Sequence, residues 1–422
     1  MRPSAVLRSP HWLTGLKATQ LQRIARATGI QSSGTKGLLV ERIAAQLGLQ
    51  LDGDSVANPT GSIPSNASQG QDRHRNVDCG STNNHSKGST QNSSSKLHAK
   101  PWSILSIDMG IQNLAFAHLH LPRSHGTDHA NPQMPVLTAW HRLAVSEIAS
   151  LNLAGAENPL QTEYSSISKS DASDKSAKGS KSKSTSKSKE VESFSPDLYA
   201  ATAYNLIKSL LTAYQPTHIL IERQRFRSGG ASAVQEWTLR VGVFEGMLYA
   251  VLHALRMERG DVITVQGVEP RRVVRYWLDQ SAAEKERLKA REVKKAKIDV
   301  VGSWISAARG EPSMDSRPIG KQQQLLLGSS SVDKILLAEP SASPALEGIV
   351  NEYMRKWQGQ PKPKKTRASK GTSTPDPLPV EAVDIGKLDD LADCLLQGVA
   401  WVEWQAMREL LVRDGPRALD DI

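Results

Sequence analysis

The chain has 422 residues, of which only 38% are hydrophobic, and 53 Lys and Arg against 43 Asp and Glu leave a formal charge of +10. That length would ordinarily fill two or three domains, but the long polar tracts leave apolar content for one sizeable core and a small module. The basic balance points to a polyanionic partner, most simply nucleic acid. Cys79 and Cys394 are far apart and lack metal-ligand spacing, which excludes a disulfide framework and a zinc site and suits a reducing compartment. No apolar run reads as long enough to span a bilayer, so no membrane partner is expected.

In chain order, residues 1–10 carry Arg and Ser, and the first acid is Glu41. This composition is that of a mitochondrial targeting segment, with the nucleus as the second location. Residues 11–49 hold two amphipathic patterns, Leu16, Leu21, Ile24 and Ala25, then Leu38, Leu39, Ile43 and Leu47. Gly29 to Gly34 between them reads as a helix stop, a tight loop and a new start. The pair resembles a SAP module, a small helix–loop–helix DNA-binding unit, through Leu16, Leu21, Gly29, Ile30, Gly34, Lys36, Leu39, Arg42 and Ile43. The resemblance implies that Lys36 and Arg42 face the DNA backbone; the competing reading is a helical hairpin that docks to protein. Lys17, Arg23 and Arg26 read as a solvated face.

Residues 50–100 are Ser, Asn, Gly and His with almost nothing to bury, and are expected to be a flexible linker. An α/β domain is expected over 101–412. Ser103–His120 reads as a strand, a turn after Asp108 and a returning strand. Val136–Val145 is a third strand, with Trp140 in the core. A helix capped at Ser195-Pro196-Asp197 follows, then the strand Thr217–Glu222, a long helix over about Ala231–Arg256, and the strand Val262–Val268. Pro270 opens a helix, a charged amphipathic helix carries Lys294, Lys295 and Lys297, and Ala382–Leu411 is the last helix. Low-complexity insertions are expected near 160–192, 309–333 and 359–379. The result is a mixed central sheet flanked by helices.

Carboxylates stand in apolar surroundings at three places. Asp108 closes the first strand, Glu222 ends the fourth, and Asp389, Asp390 and Asp393 lie on the last helix. On a helix Asp389 and Asp393 are one turn apart, and Asp390 and Asp393 are neighbours at i,i+3. A turn-stabilising Asp108 and a dipole-stabilised helix start cover the first and the last group in part, but Asp393 sits deeper and precedes Cys394-Leu395-Leu396. A divalent cation would offset the repulsion, and hard oxygens without His or Cys select Mg²⁺ or Mn²⁺. Two ions about 3.5–4 Å apart form a clamp for phosphoryl displacement. A glycosidase would also use paired carboxylates, but the basic chain argues against a sugar.

The segments SIDMGIQNLAF, IERQRFRS and KLDDLADCLLQGVAWVEW, in this order, resemble the fungal mitochondrial Holliday-junction resolvases, relatives of the RuvC-type enzymes in the ribonuclease H-like superfamily. The resemblance implies a ribonuclease H-like fold and catalytic, metal-binding positions at Asp108, Glu222 and Asp393. The fourth position is Asp389 by the fungal pattern or Asp390 by RuvC-like spacing, with a slight preference for Asp389. It further implies a homodimer that nicks opposed strands of a four-way DNA junction, leaves ligatable 5′-phosphates and uses no small-molecule cofactor. The dimer contact falls on the long helix after Gly230. Arg223, Arg225 and Arg227 follow the catalytic Glu and are expected at phosphates, as are Arg271, Arg272 and Arg275. Lys294, Lys295 and Lys297 are a further backbone edge or a wet face. Phe226 is a base wedge or a core anchor, and Trp237 and Trp277 belong in the core. The competing classes are another ribonuclease H-like nuclease, acting on RNA–DNA hybrids or strand ends, and a non-catalytic DNA-binding scaffold.

Overall fold

Alternating burial along the strands decides how this chain layers. In β1 (Trp102–Asp108), Leu105 and Ile107 face one core while Ile104, Ser106 and Asp108 face the other. The strand pairs antiparallel with β2 (Leu114–Leu121), which pairs antiparallel with β3 (Val136–Leu143). On its other side β1 runs parallel to β4 (His218–Glu222), which runs parallel to β5 (Thr264–Val268). A two-residue strand, β6 (Leu336–Leu337), joins the far edge parallel to β3, so the sheet order is β5-β4-β1-β2-β3-β6. The computed structural model describes residues 11–49, 101–122, 134–145, 195–224, 236–260, 262–278, 289–310, 333–361 and 385–419. Residues 1–10, the linker at 50–100, the insertion near 160–192, Arg225, Phe226 and Arg227, and most of the tracts at 309–333 and 359–379 lie outside them.

The helices for one face follow from the Leu105–Ile107 side. Helix α4 (Pro196–Tyr214) starts with Pro at its first turn and buries Tyr199, Ala203, Leu206, Ile207 and Leu210. Helix α5 (Glu236–Arg259) lays Val241, Phe244, Leu248, Leu252 and Leu255 on the same core. Among the described residues its other side is left open: Trp237, Leu239 and Val243 are 42%, 48% and 41% exposed. Trp237 is therefore on the surface and not in the core, because the helix is apolar on two sides and this sheet can bury only one. The helix is also long and apolar enough to cross a membrane, which corrects the expectation that no run would be. Glu245 and the buried stripe nonetheless tie it to the sheet.

The opposite face carries α6 (Pro270–Leu278), α7 (Ala290–Ala308), α8 (Pro344–Trp357) and α9 (Leu388–Asp414), packed with Ile104, Ala115, Ala117, Leu119, Trp140 and Leu220. Trp277 is in this core, as expected, and its indole N–H donates to the Leu396 carbonyl at 3.1 Å. Trp140 does the same to Leu391 at 3.0 Å. Helix α9 begins at Leu388, later than the apolar pattern suggests, because Lys387 is extended. Its first half is buried on nearly every side from Leu391 to Val402.

Residues 11–49 form α1 (His11–Gly15), α2 (Ala18–Ala27) and α3 (Lys36–Leu47) around Leu13, Leu21, Ile24, Leu39 and Ile43. This hairpin does not stand apart. Its core continues into Leu411 at the end of α9 and Ala418 in the 3₁₀ turn Gly415–Leu419. Arg408 Nε donates to the Thr28 carbonyl at 2.9 Å and Arg272 to that of Gly29 at 3.2 Å. Gly29 has φ of +66°, and a Cβ there would lie 2.2 Å from the Trp404 ring. No L side chain fits that approach. Gly29→Ala is expected to unseat the module: amides of Ile24 to Ile30 should lose hydrogen-exchange protection while those of β1 keep theirs. Unchanged protection at Ile30, whose N–H donates to Ala25 at 2.7 Å, would show that Trp404 does not hold the module.

Candidate active site

The site begins with two strand ends. Ile104 to Ile107 of β1 pair in parallel with His218 to Ile221 of β4, so the next step along both strands sets Asp108 beside Glu222. Both side chains have the parity of Ser106 and Leu220 and therefore face α9. The two carboxyls therefore stand as close like charges at the strand ends. Asp108 is 9% exposed. Burial raises its pKa well above the usual carboxylate range, and Glu222, Asp393 and Asp390 push it in the same direction.

Helix α9 brings the remaining acids. Asp393 is pushed up to about 6 by burial, against the opposing pull of Lys297, with Glu222 and Asp389 adding repulsion. Lys297 lies on α7, is itself nearly buried, and its ammonium donates to both Asp393 oxygens. One turn earlier on each helix, Lys294 donates to Asp389 at 2.6 Å. Burial alone would raise Asp389, but the Lys294 hydrogen bond and charge, with Lys297 behind, bring it below its ordinary value. Asp390 turns away from both lysines. Arg142 of β3 donates to it at 2.8 Å and also to Asn113 in the β1–β2 turn, although burial still leaves Asp390 raised.

The sequence-predicted acids are thus gathered at one end of the sheet. Among the described residues no three acids converge closely enough, as they stand, to hold an ion. Each acid on α9 is directed at a cation instead. The donor set is still that of a hard divalent metal: carboxylate oxygens only, from three elements, with the nearby Cys394 thiol donating to the Leu391 carbonyl. A bound divalent ion would relieve the repulsion that raises Asp108 and Asp393.

The expected DNA-binding residues divide. Lys36 is exposed at the first turn of α3, and Arg271 and Arg275 are exposed on α6. Arg223 is exposed beside Glu222, with its stem over Gly267. Arg225 and Arg227 fall outside the described residues. Arg42 is committed to its own loop, donating to the carbonyls of Gln31 at 2.6 Å and Ser33 at 2.9 Å. Arg272 points inward to Gly29 and to Glu269, so it does not belong to the exposed edge. Lys297 is enclosed against Asp393 and so is not part of a wet face, whereas Lys294 is exposed but engaged with Asp389, and Lys295 is exposed.

Sequence reasoning missed Lys294 and Lys297 as partners of the acids, and also Arg142 and Asn113. It missed Glu245 of α5, which accepts from the Gln224 backbone N–H at 3.1 Å and is raised by burial, despite that bond and Arg223, with Glu222 adding to the rise. Gln224 in turn reaches the Met109 carbonyl at 3.2 Å. The one available signal was spacing: Lys294 and Lys297 at i,i+3 match Asp389 and Asp393 at i,i+4.

Residues 104–411 match the family model described as mitochondrial resolvase Ydc2 / RNA splicing MRS1. A curated relative, the mitochondrial cruciform cutting endonuclease 1 of Schizosaccharomyces pombe, is 45% identical over 64 residues, which are 15% of this chain and 24% of that protein. The match thus spans about a quarter of that relative's length. The crystal structure of the yeast mitochondrial Holliday junction resolvase Ydc2 aligns over 96% of this chain and 99% of its own, at 20% identity and a TM-score of 0.44. Thermus thermophilus RuvC aligns over 53% of this chain and 90% of its own, at 13% identity and a TM-score of 0.25.

The raised pKa of Asp108 fixes the sign of a pH effect. Well below pH 4 the carboxyl is protonated folded and unfolded alike; as pH rises the unfolded group ionises first, and stability is lost until the folded group follows. Asp108→Asn removes this loss. In chelator at pH 7–8 the variant should melt on the order of a few degrees higher than the parent, the gain shrinking toward pH 4. Thermal unfolding across that range checks it, and a lower melting point at pH 8 would show that Asp108 is not strained by its neighbours.

Proposed function

Because the chain belongs to the mitochondrial resolvase Ydc2 / RNA splicing MRS1 family, we propose that it is a structure-specific endonuclease that resolves four-way DNA junctions in mitochondria by paired, metal-dependent phosphodiester hydrolysis. The family description joins a nuclease to an RNA splicing protein, so membership alone does not choose between them. The observation that carries the nuclease reading is the set of acids that β1, β4 and α9 bring to one end of the sheet, where burial and mutual repulsion raise Asp108 and Asp393. A protein that only bound nucleic acid would gain nothing from carboxylates that repel both one another and a phosphate backbone.

Mg²⁺, with Mn²⁺ as a substitute, would be held by Asp108, Glu222, Asp393 and one of Asp389 and Asp390, and would supply charge stabilisation at the phosphate and a more acidic water. Asp389 is the better fourth candidate. Its partner Lys294 is 60% exposed and easily withdrawn, whereas Asp390 is held by an Arg142 that Asn113 also fixes. Lys297 and Lys294 neutralise the acids here, and with an ion held by the carboxylates they would be free to meet a phosphate. Arg223, next to Glu222, would steady the backbone beside the scissile bond, and Arg225 and Arg227 extend that run.

The exposed Lys36, Arg271 and Arg275 would carry more of the junction, with the SAP-like module seated on α9 so that its distance from the acids is set. Arg42 serves that surface by shaping the Gln31–Ser33 loop. Cutting opposed strands in step needs two sites, and a homodimer formed through the uncovered side of α5, with Trp237, Leu239 and Val243, supplies them.

Cleavage assays with synthetic four-way junctions, linear duplex and RNA–DNA hybrid test the reading. Mg²⁺-dependent cutting of the junction is expected, with Asp108→Asn at least about 100-fold slower and junction binding retained. Near-normal cutting by the variant would overturn the mechanism, and preference for the hybrid would overturn the substrate. Lys36→Ala should weaken junction binding and lower the slope of log K against log salt by about one. An unchanged slope would remove the module from the DNA interface.

A further inference from the structure

The acids come from elements far apart in sequence, and their repulsion acts to push α9 away from the strands. Something beneath them must hold the two layers in register. Gln397 lies one turn beyond Asp393 on α9 and is 3% exposed. Its amide group donates to Ser106 Oγ at 3.1 Å, to the Ile107 carbonyl at 3.3 Å and to the Leu220 carbonyl at 3.5 Å. Ile107 precedes Asp108, and Leu220 is two residues before Glu222. One side chain therefore links the helix that carries Asp389 and Asp393 to both strands whose ends carry the other acids. The adjoining Gly398 makes the approach close: a Cβ there would sit 2.7 Å from Leu119 and 3.3 Å from Ser106. Trp140 and Trp277 also donate to carbonyls of α9, but those hydrogen bonds come from β3 and α6 and not from the strands that carry the acids.

We propose that Gln397 is a positioning residue that sets the spacing between Asp393 and the Asp108–Glu222 pair, and hence the affinity of the pocket for a divalent ion. This rests on the metal-dependent reading above. A buried amide that merely satisfied its own hydrogen bonds would affect stability alone. One that fixes where ligands stand must affect metal affinity beyond any change in stability.

Gln397→Met keeps the length and volume of the side chain and removes its donors. Mn²⁺ binding to the full chain, read from loss of the free-ion electron paramagnetic resonance signal, is measured with the melting temperature and junction affinity. The expected result is a dissociation constant for Mn²⁺ raised roughly tenfold or more, junction affinity unchanged, and an equal shift in the Mg²⁺ concentration for half-maximal cutting. Ser106→Ala removes one acceptor with little packing risk and should weaken Mn²⁺ binding by about fivefold; it decides the question if Gln397→Met does not fold. Parental Mn²⁺ affinity in the folded variants, whatever their melting temperatures, would overturn the proposal. Asp108→Asn separates the two failures. If it loses Mn²⁺ while the Gln397 and Ser106 variants keep it, only the positioning role falls; if it too binds normally, the metal pocket falls with it.

Discussion

Everything at the functional end of this molecule depends on like charges forced together. Asp108 and Glu222 meet because parallel strands with the same parity end side by side, and α9 adds Asp393, Asp389 and Asp390 from above. In a buried setting such a cluster is tolerated only if protons, cations or hydrogen-bond donors offset it. Cations carry much of that load here: ammonium groups from α7 sit on Asp389 and Asp393, and the Arg142 guanidinium sits on Asp390, while Asp108 has its pKa raised. The neutralising groups differ in how firmly they are held. Lys294 is mostly in solvent, Lys297 is enclosed, and Arg142 is fixed by Asn113 as well. Such a graded arrangement would let a pocket of these acids exist without a metal and still give up its oxygens to one.

The rest of the fold can be read as support for that end. The face with α4 and α5 is an ordinary apolar seal, while the face with α6 to α9 carries side-chain bonds into the acid-bearing helix at Leu391, Leu396 and Gln397. Further along α9, Glu403 accepts from Tyr276 and Lys334, both at 2.6 Å, and Trp404 forms the seat for Gly29. One helix therefore holds catalytic candidates at its start and the nucleic-acid-binding candidate module at its end. A rigid span of this kind would transmit a fixed geometry between backbone contacts and the scissile phosphate.

Much of this was legible in the residues. The strand parity of Asp108 and Glu222 and the helical spacing of Asp389 and Asp393 are local properties, and local periodicity reports them well. The helical hairpin around Gly29 to Gly34 was equally visible. Partnerships across long separations were not. Nothing in the charged helix marks Lys297 as the partner of an acid 96 positions later, and nothing in β3 marks Arg142 as the partner of Asp390. The role of Gly29 was legible only as a helix stop, because the Trp404 ring that requires it comes from the far end of the chain. Trp237 was misplaced for a related reason. A helix with apolar residues on two sides states that both want cover, but not which side its own sheet supplies. The short β6 and the helix α8 after it carry too little pattern, or too isolated a one, to place beside β3 without coordinates.

The central claim is that these acids form one metal pocket held ready by lysine. Crystals soaked in Mn²⁺ and measured at its absorption edge test it most directly. The account predicts anomalous density between Asp108, Glu222 and Asp393, with the Lys297 ammonium withdrawn from Asp393. At saturating Mn²⁺, density elsewhere in the molecule with Lys297 still on both Asp393 oxygens would contradict it.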